Sequence, residues 1–237
     1  MTLKVIVTRT QPFAQDTAKA LETFGLSPVV SPMLVIQSLP PRPEVIARAR
    51  HLVFTSASGI SAAAGCQHAE DVTVWCVGPT TSAAAEEAGF TRILEGPGNA
   101  DDLAAMIMGT LPRPQGLFVH VANEDAAGRL VAQVKEAGFE AEFLALYRTE
   151  PAAALTPEAQ AVLAGKDPSL ILLHSAKAAA ALAAGSPDLS RAVLVAISEA
   201  ALAPLKGRAG LGERIAHKPR ESDLMHAVLE AAAILKD

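Results

Sequence analysis

Short apolar or β-branched runs alternate along this chain with Ala-rich stretches whose apolar positions recur every three or four residues. That alternation predicts an α/β fold, with mostly parallel strands covered by helices on both faces. Strands are expected at Lys4 to Arg9, Ser27 to Pro32, His51 to Ser56, Val72 to Gly78 and Arg92 to Gly96. They continue at Gly116 to Ala122, Glu140 to Leu144, Ser169 to Ser175, Ala192 to Ser198 and Glu213 to His217. After the first strand, Phe13, Thr17, Leu21 and Phe24 mark one helix face, and Gly25 is placed to take the left-handed conformation that ends the helix.

The same order of features returns in the second half. The run Gly-Leu-Phe-Val-His-Val-Ala at 116 to 122 leads into a helix carrying Leu130 and Val134, then Gly138, 113 positions after Gly25. Leu52 to Ser56 (Leu-Val-Phe-Thr-Ser) is echoed by Ile171 to Ser175 (Ile-Leu-Leu-His-Ser), 119 positions on. Val77-Gly78 is echoed by Ile197-Ser198 at 120 positions and Leu103 by Leu224 at 121. So steady an offset over five strands each predicts a tandem duplication.

Two segments break the pattern, Pro32 to Pro43 and Ala145 to Pro157. Each begins with a short apolar stretch, Leu34-Val35-Ile36 and Leu146-Tyr147, and runs on as a proline-rich loop. They are the natural crossings between two domains, and 237 residues suffice for two of modest size.

Composition narrows the class. With 50% hydrophobic and 19% charged residues, the chain can bury a core without disulfides or metals. Cys66 and Cys76 form no Cys-x-x-Cys pair and have no clustered histidines beside them, so no metal site is expected and Cys76 reads as core. Trp75 reads as core as well. The start, Met-Thr-Leu-Lys-Val-Ile-Val, lacks the pattern of a signal peptide, and no apolar run is long enough to span a bilayer. A cytoplasmic protein with no membrane partner is expected. A net charge of −5 with dispersed basic residues argues against a nucleic-acid partner.

In parallel α/β sheets, ligands gather at the carboxyl ends of strands, where helix N-termini offer free N–H groups and partial positive charge. The residues just past the predicted strands include Arg9, Ser56, Ala57, Ser58, Gly78, Thr80, Thr81, Asn99, Ala100, Asn123, Ser175, Ala176, Lys177 and Ser198. This small, hydroxylated set suits carboxylate or phosphate recognition. Helix capping explains the same residue types equally well.

No Gly-x-Gly-x-x-Gly follows a strand, and neither a P-loop nor a Gly-x-Ser-x-Gly elbow is present. No cofactor is therefore expected. His120 and His174 fall on predicted strands, where a hydrogen-bonded core role is the default, although His174 stands beside Ser175 and could approach a ligand. Glu86-Glu87, Asp101-Asp102 and Glu124-Asp125 read as helix-start or helix-surface carboxylates explained by the helix dipole, and no acid/base pair stands out. Tyr147, the single tyrosine, lies in a crossing segment and reads equally as a packed structural ring and as a site residue.

Together these stretches resemble the uroporphyrinogen-III synthase family over essentially the whole sequence. The matching runs are Val7-Thr8-Arg9, Val53-Phe54-Thr55-Ser56, Val77-Gly78-Pro79-Thr80-Thr81, Gly98 to Leu103, Leu146-Tyr147-Arg148-Thr149 and Leu173-His174-Ser175. The resemblance implies two flavodoxin-like domains joined by a two-stranded linker, the second inserted in the first. Here that means 1–34 with 152–237, and 38–147. One departure is Ser198-Glu199-Ala200-Ala201, where the family often repeats a Gly-x-Thr-Thr-type turn. Hydroxyl contacts beyond Ser198 are lost there, while backbone N–H groups remain.

The resemblance also implies the reaction: hydroxymethylbilane cyclises to uroporphyrinogen III with loss of water and inversion of ring D through a spiro intermediate. Tyr147 is then the candidate to assist departure of the hydroxyl, and the strand-end residues named above anchor a linear tetrapyrrole bearing eight carboxylates. A monomer is expected, in transient contact with the enzyme that supplies the substrate. The alternative is a non-catalytic binding or regulatory module of the same fold for an anionic ligand.

Overall fold

The computed structural model describes residues 2–11, 13–111, 116–126 and 129–235. In chain order the elements are β1 (Lys4–Val7), α1 (Phe13–Thr23), β2 (Ser27–Val30), β3 (Leu34–Ser38), α2 (Pro43–Arg48), β4 (Ala49–Phe54) and α3 (Ala57–Ala63). Next come β5 (Thr73–Cys76), α4 (Pro79–Glu87), β6 (Ile93–Glu95), α5 (Ala100–Thr110), β7 (Leu117–Asn123), α6 (Arg129–Glu136) and β8 (Ala141–Pro151). The last are α7 (Pro157–Ala164), β9 (Ser169–Leu173), α8 (Ala176–Ala184), β10 (Ala192–Ala196), α9 (Glu199–Leu202), β11 (Gly212–Ile215) and α10 (Glu221–Ile234).

The chain divides into two compact units, Met1–Ile36 with Thr149–Asp237, and Gln37–Arg148. The discontinuous unit holds a five-stranded sheet in the order β11-β10-β9-β1-β2, parallel at every pairing. In the continuous unit the order is β8-β7-β4-β5-β6, again parallel throughout, with β3 added beside β8. Hydrogen bonds from Leu39 N–H to Leu146 O and from Ala152 N–H to Met33 O follow the two segments in opposite directions.

Burial of both sheet faces explains the near-continuous apolar strands, such as Ser-Leu-Ile-Leu-Leu in β9 and Ala-Val-Leu-Val-Ala in β10, every residue of which is buried. In the discontinuous unit, Ile6, Ile171 and Leu194 pack on one side with α7 to α9, and Val5, Leu170 and Val193 on the other with α10. In the continuous unit, Leu52, Val74 and Val119 face α2 and α3, while Val53, Trp75 and Phe118 face α5 and α6. Cys76 and Trp75 are core residues, both fully buried. Gly25 and Gly138 have φ of +69° and +88°, the left-handed conformation expected after their helices.

All ten expected strands are present, most of them ending a residue or two earlier than expected. Ser56, Ser175 and Ser198 leave the ladder because their side chains cap the next helix. The larger departures lie in the crossing segments. Leu34–Ser38, the apolar stretch that opens the first crossing, is a strand not among the ten, and β8 runs to Pro151 where a strand ending at Leu144 was expected. Phe24 lies beyond the end of α1 and is 49% exposed, so the helix face ends at Leu21. Glu86 and Glu87 close α4, where the dipole opposes them, and Glu124-Asp125 sit in a turn before α6.

Candidate active site

The fold sorts the expected site residues into two groups. Ser56, Ala57, Ser58, Gly78, Thr80, Thr81, Asn99, Ala100, Asn123 and Tyr147 follow or end neighbouring strands of the continuous unit. Arg9, Ser175, Ala176, Lys177 and Ser198 follow strands of the discontinuous unit. In each unit the central pair, β4 with β7 and β9 with β1, is the point where strand order reverses, which is where open α/β sheets place ligands.

Capping uses much of this polarity. Ser56, Ser175 and Ser198 accept from the N–H of Gly59 (3.3 Å), Ala178 (3.1 Å) and Ala201 (3.2 Å). Each serine keeps its hydroxyl hydrogen for another partner. Asn99 is engaged twice, accepting from Asp102 N–H at 2.9 Å and donating to the Asp102 carboxylate at 2.6 Å. Thr80 is exposed, whereas Thr81 is 4% exposed with its side chain turned into the unit. Ala57 and Gly78 are buried, and Ala100 and Ala176 are exposed at the first turns of α5 and α8.

Tyr147 joins the first group through a register shift. Ala122 pairs with Ala145, but Asn123 pairs with Tyr147, so Leu146 is an extra residue in β8. A bulge of this kind turns the next side chain onto the face it would otherwise leave. Tyr147 Oη lies 2.8 Å from Ser56 Oγ and also accepts from the Asn123 N–H. The ring is 5% exposed, and burial raises the phenol above its ordinary pKa despite the Ser56 and Asn123 hydrogen bonds that favour the phenolate. Asn123 Oδ1 accepts from Asp125 N–H at 2.9 Å.

A charged network organises the second group. Arg9 Nη1 donates to Glu221 Oε2 at 3.0 Å, Thr17 Oγ1 donates to Glu221 Oε1 at 2.8 Å, and His174 Nε2 lies 3.3 Å from the same carboxylate. The Arg9 guanidinium also stacks 4.9 Å above the Phe13 ring. Burial alone would raise the Glu221 pKa, but His174, Thr17 and Arg9 outweigh it and hold the carboxyl at about 2. Arg9 therefore already has a carboxylate, and Lys177 Nζ donates to Thr149 Oγ1 at 3.1 Å. Sequence reasoning did not single out Glu221, although the echo of Asn99 to Leu103 in Arg220 to Leu224 places it at the start of α10.

Among the described residues no group of three or more His, Cys, Asp or Glu side chains is arranged to hold a metal, and no helix is long and apolar enough to cross a membrane. Each group consists of hydroxyls and amides at strand ends, and the group of the discontinuous unit adds two cations, Arg9 and Lys177. Among solved structures, a uroporphyrinogen-III synthetase from Helicobacter pylori has the same fold, with a TM-score of 0.63 at 15% identity over 97% of this chain and 99% of that one. A mutant uroporphyrinogen III synthase from Thermus thermophilus gives 0.51 at 16% identity, over 98% and 100%. No curated protein sequence matches this one. The Uroporphyrinogen-III synthase HemD family, however, matches residues 15–226, and across that span lie the Ser56–Tyr147 pair and all the strand-end residues of both groups but Arg9. With that match over most of its length, the chain belongs to the uroporphyrinogen-III synthase family, cyclising lyases of haem biosynthesis.

Proposed function

We propose that the chain closes hydroxymethylbilane to uroporphyrinogen III, and that it does so chiefly by position. Loss of hydroxide from the ring A carbinol leaves an electrophilic azafulvene, and the departing oxygen takes a proton to become water. Ring D attacks through its substituted carbon to form a spiro intermediate, which fragments and recloses with ring D inverted. Because the linear substrate can close unaided to the uninverted isomer, the protein has to decide which carbon meets the electrophile. Fixing the reacting groups supplies that selection, and a site of hydroxyls and amides is sufficient for it.

The observation that carries the reading is the Ser56–Tyr147 hydrogen bond at the strand-order reversal of the continuous unit. Tyr147 is too buried and too weak an acid to release its proton freely. It donates to Ser56 Oγ, which frees the hydroxyl hydrogen of half-buried Ser56 to hydrogen-bond the leaving oxygen, while the proton that completes the water is the one ring A gives up from its pyrrole nitrogen as the azafulvene forms. In the continuous unit, Thr80 with its own N–H at the start of α4, and Asn99 and Ala100 on α5, are the donors for substrate carboxylates; in the discontinuous unit, Ser175, Ala176 and Lys177 on α8 are donors of the same kind. Ser58 and Asn123 complete the first set and Ser198 the second, which Arg9 joins when Glu221 releases it, whereas Thr81, turned into its unit, takes no part.

The tandem duplication is supported by the strand orders. Each sheet reads 2-1-3-4-5, the flavodoxin-like order, if the discontinuous unit takes its first two strands from one copy and its last three from the other. The continuous unit takes the remainder, and β3 with β8 supplies the paired linker. A monomer that receives its substrate by brief contact with the enzyme making it fits a ligand that closes unaided.

The test is to mix the protein with freshly generated hydroxymethylbilane and measure uroporphyrin III against uroporphyrin I after oxidation. Isomer III in proportion to enzyme is expected. Isomer I alone, at the rate without protein, would leave a binding module.

A further inference from the structure

His120 lies on β7 and is 3% exposed, yet only one of its ring nitrogens has a partner. Nε2 stands 3.1 Å from Thr55 Oγ1, while Nδ1 is buried without a hydrogen bond among the described residues. The Phe143 ring meets the imidazole edge-on at 5.6 Å. A neutral imidazole carries one hydrogen, so Nε2 either receives the Thr55 hydrogen or donates its own. In the first case Nδ1 holds an orphaned N–H, which buried sites rarely tolerate. In the second, Nδ1 is a bare lone pair and Thr55 Oγ1 is the acceptor. The Thr55 hydroxyl hydrogen then has to point elsewhere, and this half-buried residue adjoins Ser56 at the end of β4.

We propose that His120 is a positioning residue that turns the Thr55 hydroxyl hydrogen outward, making Thr55 a specificity-determining donor to a carboxylate of the substrate. Identification of that ligand rests on the family reading. Burial lowers the His120 pKa to about 4, so the ring remains neutral and its Nε2–H stays committed to Thr55 at neutral pH. Thr55 and Ser56 are successive residues, so their hydroxyls leave the strand on opposite faces and flank the strand end from both sides. Ser56 is set by Tyr147 from one side and Thr55 by His120 from the other.

Nitrogen-15 NMR of the full chain at pH 7 reads the tautomer directly, with the His120 signal assigned by its loss in His120→Gln. A proton on Nε2 and none on Nδ1 is expected; a proton on Nδ1 overturns the proposal. In turnover, Thr55→Val should lower kcat/KM about tenfold, the cost of one hydrogen bond to a charged group, mostly through KM. His120→Leu should match it, the double variant should be no worse than Thr55→Val, and His120→Gln, which restores an N–H donor, should recover most of the loss. An equal loss from His120→Leu in the wild-type and Thr55→Val backgrounds shows that His120 does not act through Thr55. If His120→Leu fails to fold, the same comparison is made with His120→Phe, which likewise offers Thr55 no N–H, and the tautomer decides independently of either variant. Wild-type protein that forms no isomer III overturns the proposed function and this choice of ligand, while the tautomer still decides how Thr55 is oriented.

Discussion

Tyr147 reaches Ser56, with 2.8 Å between their hydroxyl oxygens, because the β7–β8 register slips by one residue at Leu146. Two consecutive residues of β8 thereby serve the same side of the sheet: Leu146 packs in the cluster of Phe54 and Val121, and Tyr147 bonds Ser56, two residues past Phe54. A strand that fills the core thus also delivers the single tyrosine to the site.

Tyr147→Phe keeps the ring packing and removes only the hydroxyl. Turnover should fall about tenfold to a hundredfold without being abolished, since positioning of the substrate survives. Ser56 would still cap α3 through Gly59. Rate and isomer ratio measured on the same samples check this. An unchanged kcat removes Tyr147 from the chemistry.

The architecture was legible in the sequence because buried parallel strands are written as unbroken apolar runs, and because the echo of Ser56 in Ser175 repeats a cap as well as a strand. The strand β3 was not, since Val35 and Ile36 are 52% and 38% exposed and Gln37 follows them, giving neither a buried run nor an alternation. Tyr147 could be named, but not its partner, because the bulge at Leu146 has no sequence signature. Glu221 was passed over as one more carboxylate opening a helix. Its importance comes from Arg9, Thr17 and His174, brought to it across 212, 204 and 47 residues.

The Arg9–Glu221 pair carries a prediction in two directions. Glu221→Gln keeps a hydrogen-bonding side chain but gives up the ion pair, freeing Arg9 for a substrate carboxylate. KM should fall a few-fold, while stability drops by about 1 kcal/mol or less, because Glu221 is 39% exposed and solvent screens the pair. The Glu221 pKa is depressed in the folded state, so its contribution is present above the ordinary carboxylate value of 4.5 and is lost as pH falls through about 2. Denaturant titrations at pH 5 and pH 2.5 should therefore show a smaller acid loss in Glu221→Gln than in the wild type.

His120 titrates in a different window. Its folded pKa of about 4 lies below the ordinary 6.5, so the unfolded chain binds a proton that the folded one refuses. Stability is full above pH 6.5 and is lost as pH falls toward 4, by about 3 kcal/mol over the whole interval. His120→Gln has no such proton, and its stability should change less between pH 7 and pH 5. Parallel slopes for the two proteins in urea would show that His120 is not the group responsible.

Gly59 links packing to the hydroxyl pair. A Cβ there would stand 2.9 Å from Val121 O and 3.1 Å from the Phe54 ring, so neither a strand carbonyl nor a core aromatic has room for it. Its N–H meanwhile bonds Ser56 Oγ, the atom that faces Tyr147. Gly59→Ala should lift the first turn of α3 from β7 and carry Ser56 with it, at a cost of about 1 to 3 kcal/mol from overpacking. Loss of activity should then exceed that of Tyr147→Phe, because Ser56 itself is displaced. Combining the two changes should cost little beyond Gly59→Ala alone, since both break the same contact. Chemical denaturation and kcat for the two single variants and the double decide it: multiplicative losses in kcat would mean that Gly59 and Tyr147 act independently.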